Sequence, residues 1–144
     1  MTFKDHFTRT AADYSKYRPH YPEDLFSFLA SVCPGRKTVW DCATGSGQAA
    51  IGVSRFFDRV IATDASEEQI RNARPRKGVT YCVTLAEQAA LKKGTIDLAM
   101  AGQAAHWFEL DSFYSELRRV LGRGGIIAIW FYSLFRIDPV LDDI

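Results

Sequence analysis

Nowhere in the chain does an apolar run approach the roughly 20 residues that a membrane-spanning helix needs. The opening MTFKDHFTRT is polar and charged, so no export signal is expected there. An excess of one charge is also missing. Eighteen Lys and Arg against 17 Asp and Glu leave a net charge of +1, which excludes a chain that holds nucleic acid by bulk charge. Cysteine is scarce: Cys33, Cys42 and Cys82 are odd in number and lack CxxC spacing. They read as reduced thiols of a cytoplasmic protein, small buried hydrophobes rather than disulfides, ligands or nucleophiles. His6, His20 and His106 are scattered, so no metal site is expected. Internal repeats, low-complexity tracts and long linkers are absent as well.

What is present describes one globular domain. With 47% hydrophobic residues, a chain of 144 residues has material for a real core and is not intrinsically disordered. Its apolar segments alternate between two kinds. A helix is predicted from Tyr21-Pro22, with the proline at the first helical position and Leu25, Phe28, Leu29 and Val32 forming one stripe. Cys33-Pro34-Gly35 stops it. Thr38 to Cys42 reads as a buried strand ending in the turn Ala43-Thr44-Gly45-Ser46-Gly47, and a helix near Gln48 would turn Ala49, Val53 and Phe56 inward. Val60 to Thr63 is a second strand, ending at Asp64. Ser66 and Gln69 form a capping-box pattern for a helix through Ile70 and Ala73. Val79 to Thr84, Ile96 to Ala101 and Ile126 to Phe131 supply three more strands. Asp111 is the expected N-cap of a helix with Phe113, Leu117, Val120 and Leu121 on one face, and Arg118, Arg119 and Arg123 near its end. Strands alternating with helices imply an α/β fold, a doubly wound parallel sheet of five strands with helices on both faces.

In such sheets ligands bind at the carboxyl ends of the strands. Asp41, Asp64, Ala86-Glu87 and Gly102-Gln103 all fall there, at four separate strand ends. The turn fits the loose pattern G-x-G-x-x-G/A, and an acid about 20 positions later can take both ribose hydroxyls. Asp64 suits that role, so an adenosine-type ligand is expected. Charge separates the candidates. A nicotinamide dinucleotide would bring its pyrophosphate against the Asp41 carboxylate, whereas S-adenosyl-L-methionine brings an ammonium and a sulfonium. No Lys or Arg occurs between Val39 and Ser54 to meet a phosphate, and backbone N–H groups at the next helix can hold the methionine carboxylate.

With these residues in view, the sequence resembles the class I S-adenosylmethionine-dependent methyltransferases, in particular the type 11, trans-aconitate-like small-molecule group. The resemblance runs through Ala12-Asp13-Tyr14, Tyr17 to Pro22, Trp40 to Gln48, Ala62 to Ser66, Ala86-Glu87, Gln103 to Phe108 and Leu117 to Leu121. It implies a Rossmann-like strand order of 3-2-1-4-5. It places Asp41, Ala43, Gly45 and Gly47 at the methionine end of the cofactor, Asp64, Ala65 and Gln69 at the ribose, and Ala86 and Glu87 at the adenine edge. Gln103 would lie under the methionine part, with His106 and Trp107 on the substrate side. The resemblance makes the N-terminal part of residues 1–34, around Tyr14, Tyr17 and Arg18, a lid over the cofactor; 35–132 is the core and 133–144 a tail.

The chain ends soon after the fifth strand, where the family adds two antiparallel strands. That edge is therefore expected to be covered by another chain, as in a homodimer, by a swapped element, or by the rest of a longer protein. Three functions remain open on sequence alone. The first is a methyltransferase acting on a small-molecule acceptor, the second a catalytically incomplete cofactor-binding module or partner subunit, and the third an NAD-dependent oxidoreductase. No catalytic side chain is assigned. His106 is the one candidate base, and packing beside Trp107 is its competing role.

Overall fold

The computed structural model describes residues 20–132. Tyr14, Tyr17 and Arg18, the proposed lid and the tail lie outside them. Five parallel strands form one sheet in the order β3-β2-β1-β4-β5: β1 (Thr38–Cys42), β2 (Arg59–Asp64), β3 (Val79–Val83), β4 (Ile96–Gly102) and β5 (Leu121–Trp130). The helices are α1 (Glu23–Val32), α2 (Gln48–Val53), α3 (Glu67–Asn72) and α4 (Leu110–Val120), with short 3-10 turns at Ala86–Gln88 and Ala105–Trp107. The expected strand order and two-sided layering are thus present.

Each sheet face has its own core. On one face Val39, Val60, Ala62, Leu98 and Met100 pack against Phe26, Leu29 and Ala30 of α1 and Ala49, Ala50 and Val53 of α2. On the other, Trp40, Cys42, Ala99 and Ala101 pack against Phe113, Leu117 and Val120 of α4. All five β1 residues are buried, as a central parallel strand requires. The Trp40 indole N–H donates to Thr63 Oγ1 at 2.9 Å, so this fully buried ring keeps its polar atom satisfied.

Several local expectations need correction. The buried stripe of α1 is Phe26, Leu29 and Ala30, while Phe28 and Val32 are exposed. Phe26, Leu29, Ala30 and Cys33 also run i, i+3, i+4 and i+7. Spacing alone could not choose between the two stripes; Gly52 of α2 does, because only a glycine leaves room for the Phe26 ring. Pro22 is the N-cap of α1 rather than its first helical residue. Ser66 does accept the Gln69 N–H at 3.3 Å, but its own N–H goes to Asp64 Oδ1, so only half of the capping box forms. Ala73 is the C-cap of α3, and Thr84 follows β3. Glu109, not Asp111, caps α4, accepting the Ser112 N–H at 2.9 Å. Leu121 and Arg123 belong to β5, which starts five residues before the expected Ile126 because its glycine-rich lead-in pairs irregularly with β4.

Candidate functional site

The C-terminal rim of the sheet is built from five strand ends. Asp41 is 1% exposed, and its Oδ2 accepts the Thr44 hydroxyl at 2.6 Å. Burying a carboxylate costs free energy that hydrogen bonds only partly offset, so such a group points to a cationic counterpart. The next residues turn sharply: Ala43, Gly45 and Gly47 all have positive φ, at 54°, 59° and 85°. For glycine that conformation is free of strain, but for Ala43 it costs roughly 1–3 kcal/mol, a cost found where function demands the shape.

Asp64 pins this turn from the neighbouring strand. Its Oδ2 accepts the Gly45 N–H at 2.9 Å and its Oδ1 the Ser66 N–H at 2.9 Å. The Thr44 N–H reaches Thr63 O at 2.8 Å. Support also comes from beneath: the Arg74 N–H donates to Ser46 O at 3.3 Å, and the Tyr81 hydroxyl donates to Arg74 O at 2.8 Å. Burial, and then the Asp41 charge, push the Tyr81 phenol above its ordinary pKa. Burial drives the Cys42 thiol far upward as well, with Asp41 and Glu87 adding to it, which agrees with Cys42 as a packing residue rather than a nucleophile.

On the other side of β1, Gln103 follows β4 with a positive φ of 59°. Its N–H is held by Trp130 O at 2.9 Å, and its side-chain Nε2 is buried without a partner. Ala86 is buried, and Glu87 Oε1 accepts the Glu109 N–H at 2.8 Å, joining the turn after β3 to the start of α4. Arg119, at the other end of α4, donates to Ala89 O and Leu91 O at 2.9 and 2.8 Å. His106 is exposed and lies tilted against Trp107 and Phe131, with ring centroids 4.7 and 5.8 Å away.

Asp41, Ala43, Gly45, Gly47, Asp64 and Ala65 therefore gather at the β1–β2 ends. Gln69 follows on α3, Ala86-Glu87 and Gln103 stand at their own strand ends, and Tyr14 and Arg18 lie outside the described residues. Thr44, Tyr81 and Trp130 were not singled out by the sequence. Only Thr44 carried a signal, a hydroxyl three residues beyond a strand-end acid. No group of three or more His, Cys, Asp or Glu suited to a metal occurs among the described residues, nor any helix long and apolar enough to cross a membrane.

Residues 40–129, more than half of the chain, match the family model described as a methyltransferase domain. The chain belongs to this methyltransferase family. A Dictyostelium discoideum relative named as a methyltransferase is 38% identical over 136 residues, spanning 94% of this chain and 52% of its own length. A Saccharomyces cerevisiae relative, named as S-adenosylmethionine-dependent, is 27% identical over 131 residues, spanning 85% of this chain and 45% of its own. Among solved structures, one from Anaeromyxobacter dehalogenans described as a type II methyltransferase superposes with a TM-score of 0.81 at 47% identity. That match spans 88% of this chain and 54% of the other. The chain thus covers about half the length of these relatives. S-adenosyl-L-methionine is the methyl donor of the methyltransferase family, and membership sets aside the dinucleotide reading.

The rim suits this donor on its own evidence. A buried carboxylate beside a turn of left-handed residues suits a cation, and the unmet Gln103 donor suits an oxygen acceptor.

Proposed function

We propose that this domain binds S-adenosyl-L-methionine at the strand-end rim and transfers its methyl group to a small-molecule acceptor in the cytoplasm. The observation that carries this is the buried Asp41 carboxylate at the end of the central strand, followed at once by a turn of left-handed residues. When bound, the cofactor supplies an electrophilic methyl group on a sulfonium. Asp41 would hold the ammonium at the methionine end, with Ala43 and Gly45 giving the backbone its close approach and Gly47, packed against Tyr81, completing the turn. Asp64, whose two oxygens accept the Gly45 and Ser66 N–H groups, stands at the end of the neighbouring strand, where a carboxylate would accept ribose hydroxyls. Ala65 and Gln69 would flank the ribose, Ala86 and Glu87 the adenine edge, and Gln103 the methionine chain. Tyr14 and Arg18 are proposed as lid contacts from the sequence alone.

Methyl transfer needs aligned partners more than a proton shuttle, so positioning supplies most of the catalysis. His106 packs at a tilt against Trp107 and Phe131, which supports a wall for an organic acceptor rather than a base. Calorimetric titration with S-adenosylhomocysteine tests the reading. Asp41→Asn keeps an oxygen for the Thr44 hydroxyl but drops the charge, and about tenfold weaker binding is expected. Unchanged affinity would overturn the assignment.

A second reading, a cofactor-binding module completed by a partner chain, draws on β5. It is an edge strand of the sheet, with Ile127 43% exposed on it and Phe131 55% exposed just beyond. Methyl transfer over a metabolite panel by this chain alone would eliminate that reading. Turnover only with a longer homologous chain would establish it.

A further inference from the structure

Two buried side-chain donors stand beside one peptide unit of the rim. Trp130 Nε1 and Gln103 Nε2 are both buried, and neither has a hydrogen-bond partner. Gly102, in register with Trp130, immediately precedes Gln103. The indole lies against it so closely that a Cβ there would stand 2.8 Å from Trp130 Cε2 and 3.0 Å from Nε1. The ring is held edge-on by Tyr21, with centroids 5.4 Å apart and an interplanar angle of 90°. It is thus packed on two sides while its polar atom goes unmet, unlike Trp40, whose N–H reaches Thr63. Leaving such a donor unmet in a buried place costs about 1–3 kcal/mol, and native proteins rarely do so without cause.

Both orphaned atoms are donors, so the missing partner is an acceptor. Its place relative to Asp41 narrows its identity. Asp41, Met100 and Ala128 form one row of the sheet, and Gly102 and Trp130 lie two residues further along. Side chains two apart share a face, so the indole stands on the Asp41 side. A buried anion with a buried indole N–H further along its face, and a second buried donor on the residue after Gly102, matches a zwitterion, an ammonium and a carboxylate one carbon apart.

The geometry points to Trp130, with Gln103, as the seat of the carboxylate at the amino-acid end of the cofactor. This rests on the binding reading above and adds to it a residue outside the glycine turn. The test compares two probes, S-adenosylhomocysteine and 5′-methylthioadenosine, which share the nucleoside but differ in the amino-acid end. Trp130→Phe keeps a ring against Gly102 and removes the N–H. It should bind S-adenosylhomocysteine about tenfold more weakly while methylthioadenosine changes less than about twofold. In wild-type protein with ¹⁵N-labelled tryptophan, the Trp130 indole cross-peak, identified by its absence from the variant, should move with S-adenosylhomocysteine only. The Trp40 peak should stay in place.

Equal losses for both probes, or none for either, would overturn the assignment, as would a Trp130 cross-peak that ignores S-adenosylhomocysteine. Wild-type protein that binds both probes equally overturns it too but leaves the nucleoside site standing. Protein that binds neither overturns the cofactor reading itself.

Discussion

The Tyr81 hydroxyl fills the space in which a side chain at Gly47 would stand. On sequence, that glycine reads as room for a ligand; in the fold, much of the room is taken by the protein's own phenol. Gly47→Ala therefore meets two obstacles, a positive φ of 85° and the Tyr81 ring. It should lower stability by about 1–3 kcal/mol in denaturant titrations. Tyr81→Phe in the same chain should recover part of that loss, since it removes the nearest atom. Strict additivity of the two substitutions would disprove the contact.

Asp64 gives one oxygen each to Gly45 and Ser66. Asp64→Asn retains a single acceptor oxygen and sets an amide N–H against one of those backbone N–H groups. We expect a loss of about 1–3 kcal/mol in unfolding free energy and weaker S-adenosylhomocysteine binding together. Wild-type stability in Asp64→Asn would mean that these two bonds contribute nothing.

The choice between the two stripes of α1 can be settled by truncation. Phe26 is 3% exposed and Phe28 is 60% exposed. Phe26→Ala should cost about 3–5 kcal/mol, whereas Phe28→Ala should stay within about 0.5 kcal/mol. Similar losses from both would show that the helix is rotated from the orientation described.

Hydrogen bonds from Ser112, first its hydroxyl and then its backbone N–H, hold the Glu109 carboxyl below its ordinary pKa. A carboxyl depressed on folding gives stability that is fully present above its unfolded pKa and fades as pH falls through the folded one. The difference in melting temperature between wild type and Glu109→Gln should accordingly be largest near neutrality and shrink below the ordinary glutamate range. A difference that grows in acid would contradict the capping role.

Much of this was legible because strand ends announce themselves. A short apolar run closing on an acid marks the element and its end, and Asp41 and Asp64 stand at strand ends as expected. The sheet order followed from the resemblance that these motifs carry. What stayed hidden depends on partners distant in the chain. The face of α1 was decided by Gly52, the cap of α4 by a glutamate two residues before the expected aspartate, and the start of β5 by irregular pairing with β4. Trp130 read only as the end of an apolar strand, because an unmet N–H is a property of surroundings and leaves no trace in spacing.

Helix α4 is fastened at both ends to the segment that follows β3, through Glu87 at its start and Arg119 at its finish. The segment proposed to meet the adenine ring is therefore braced like a plank on two brackets. Substitutions that tilt α4, even on its solvent side, should register in how tightly the nucleoside base is gripped, many residues away from any atom they touch.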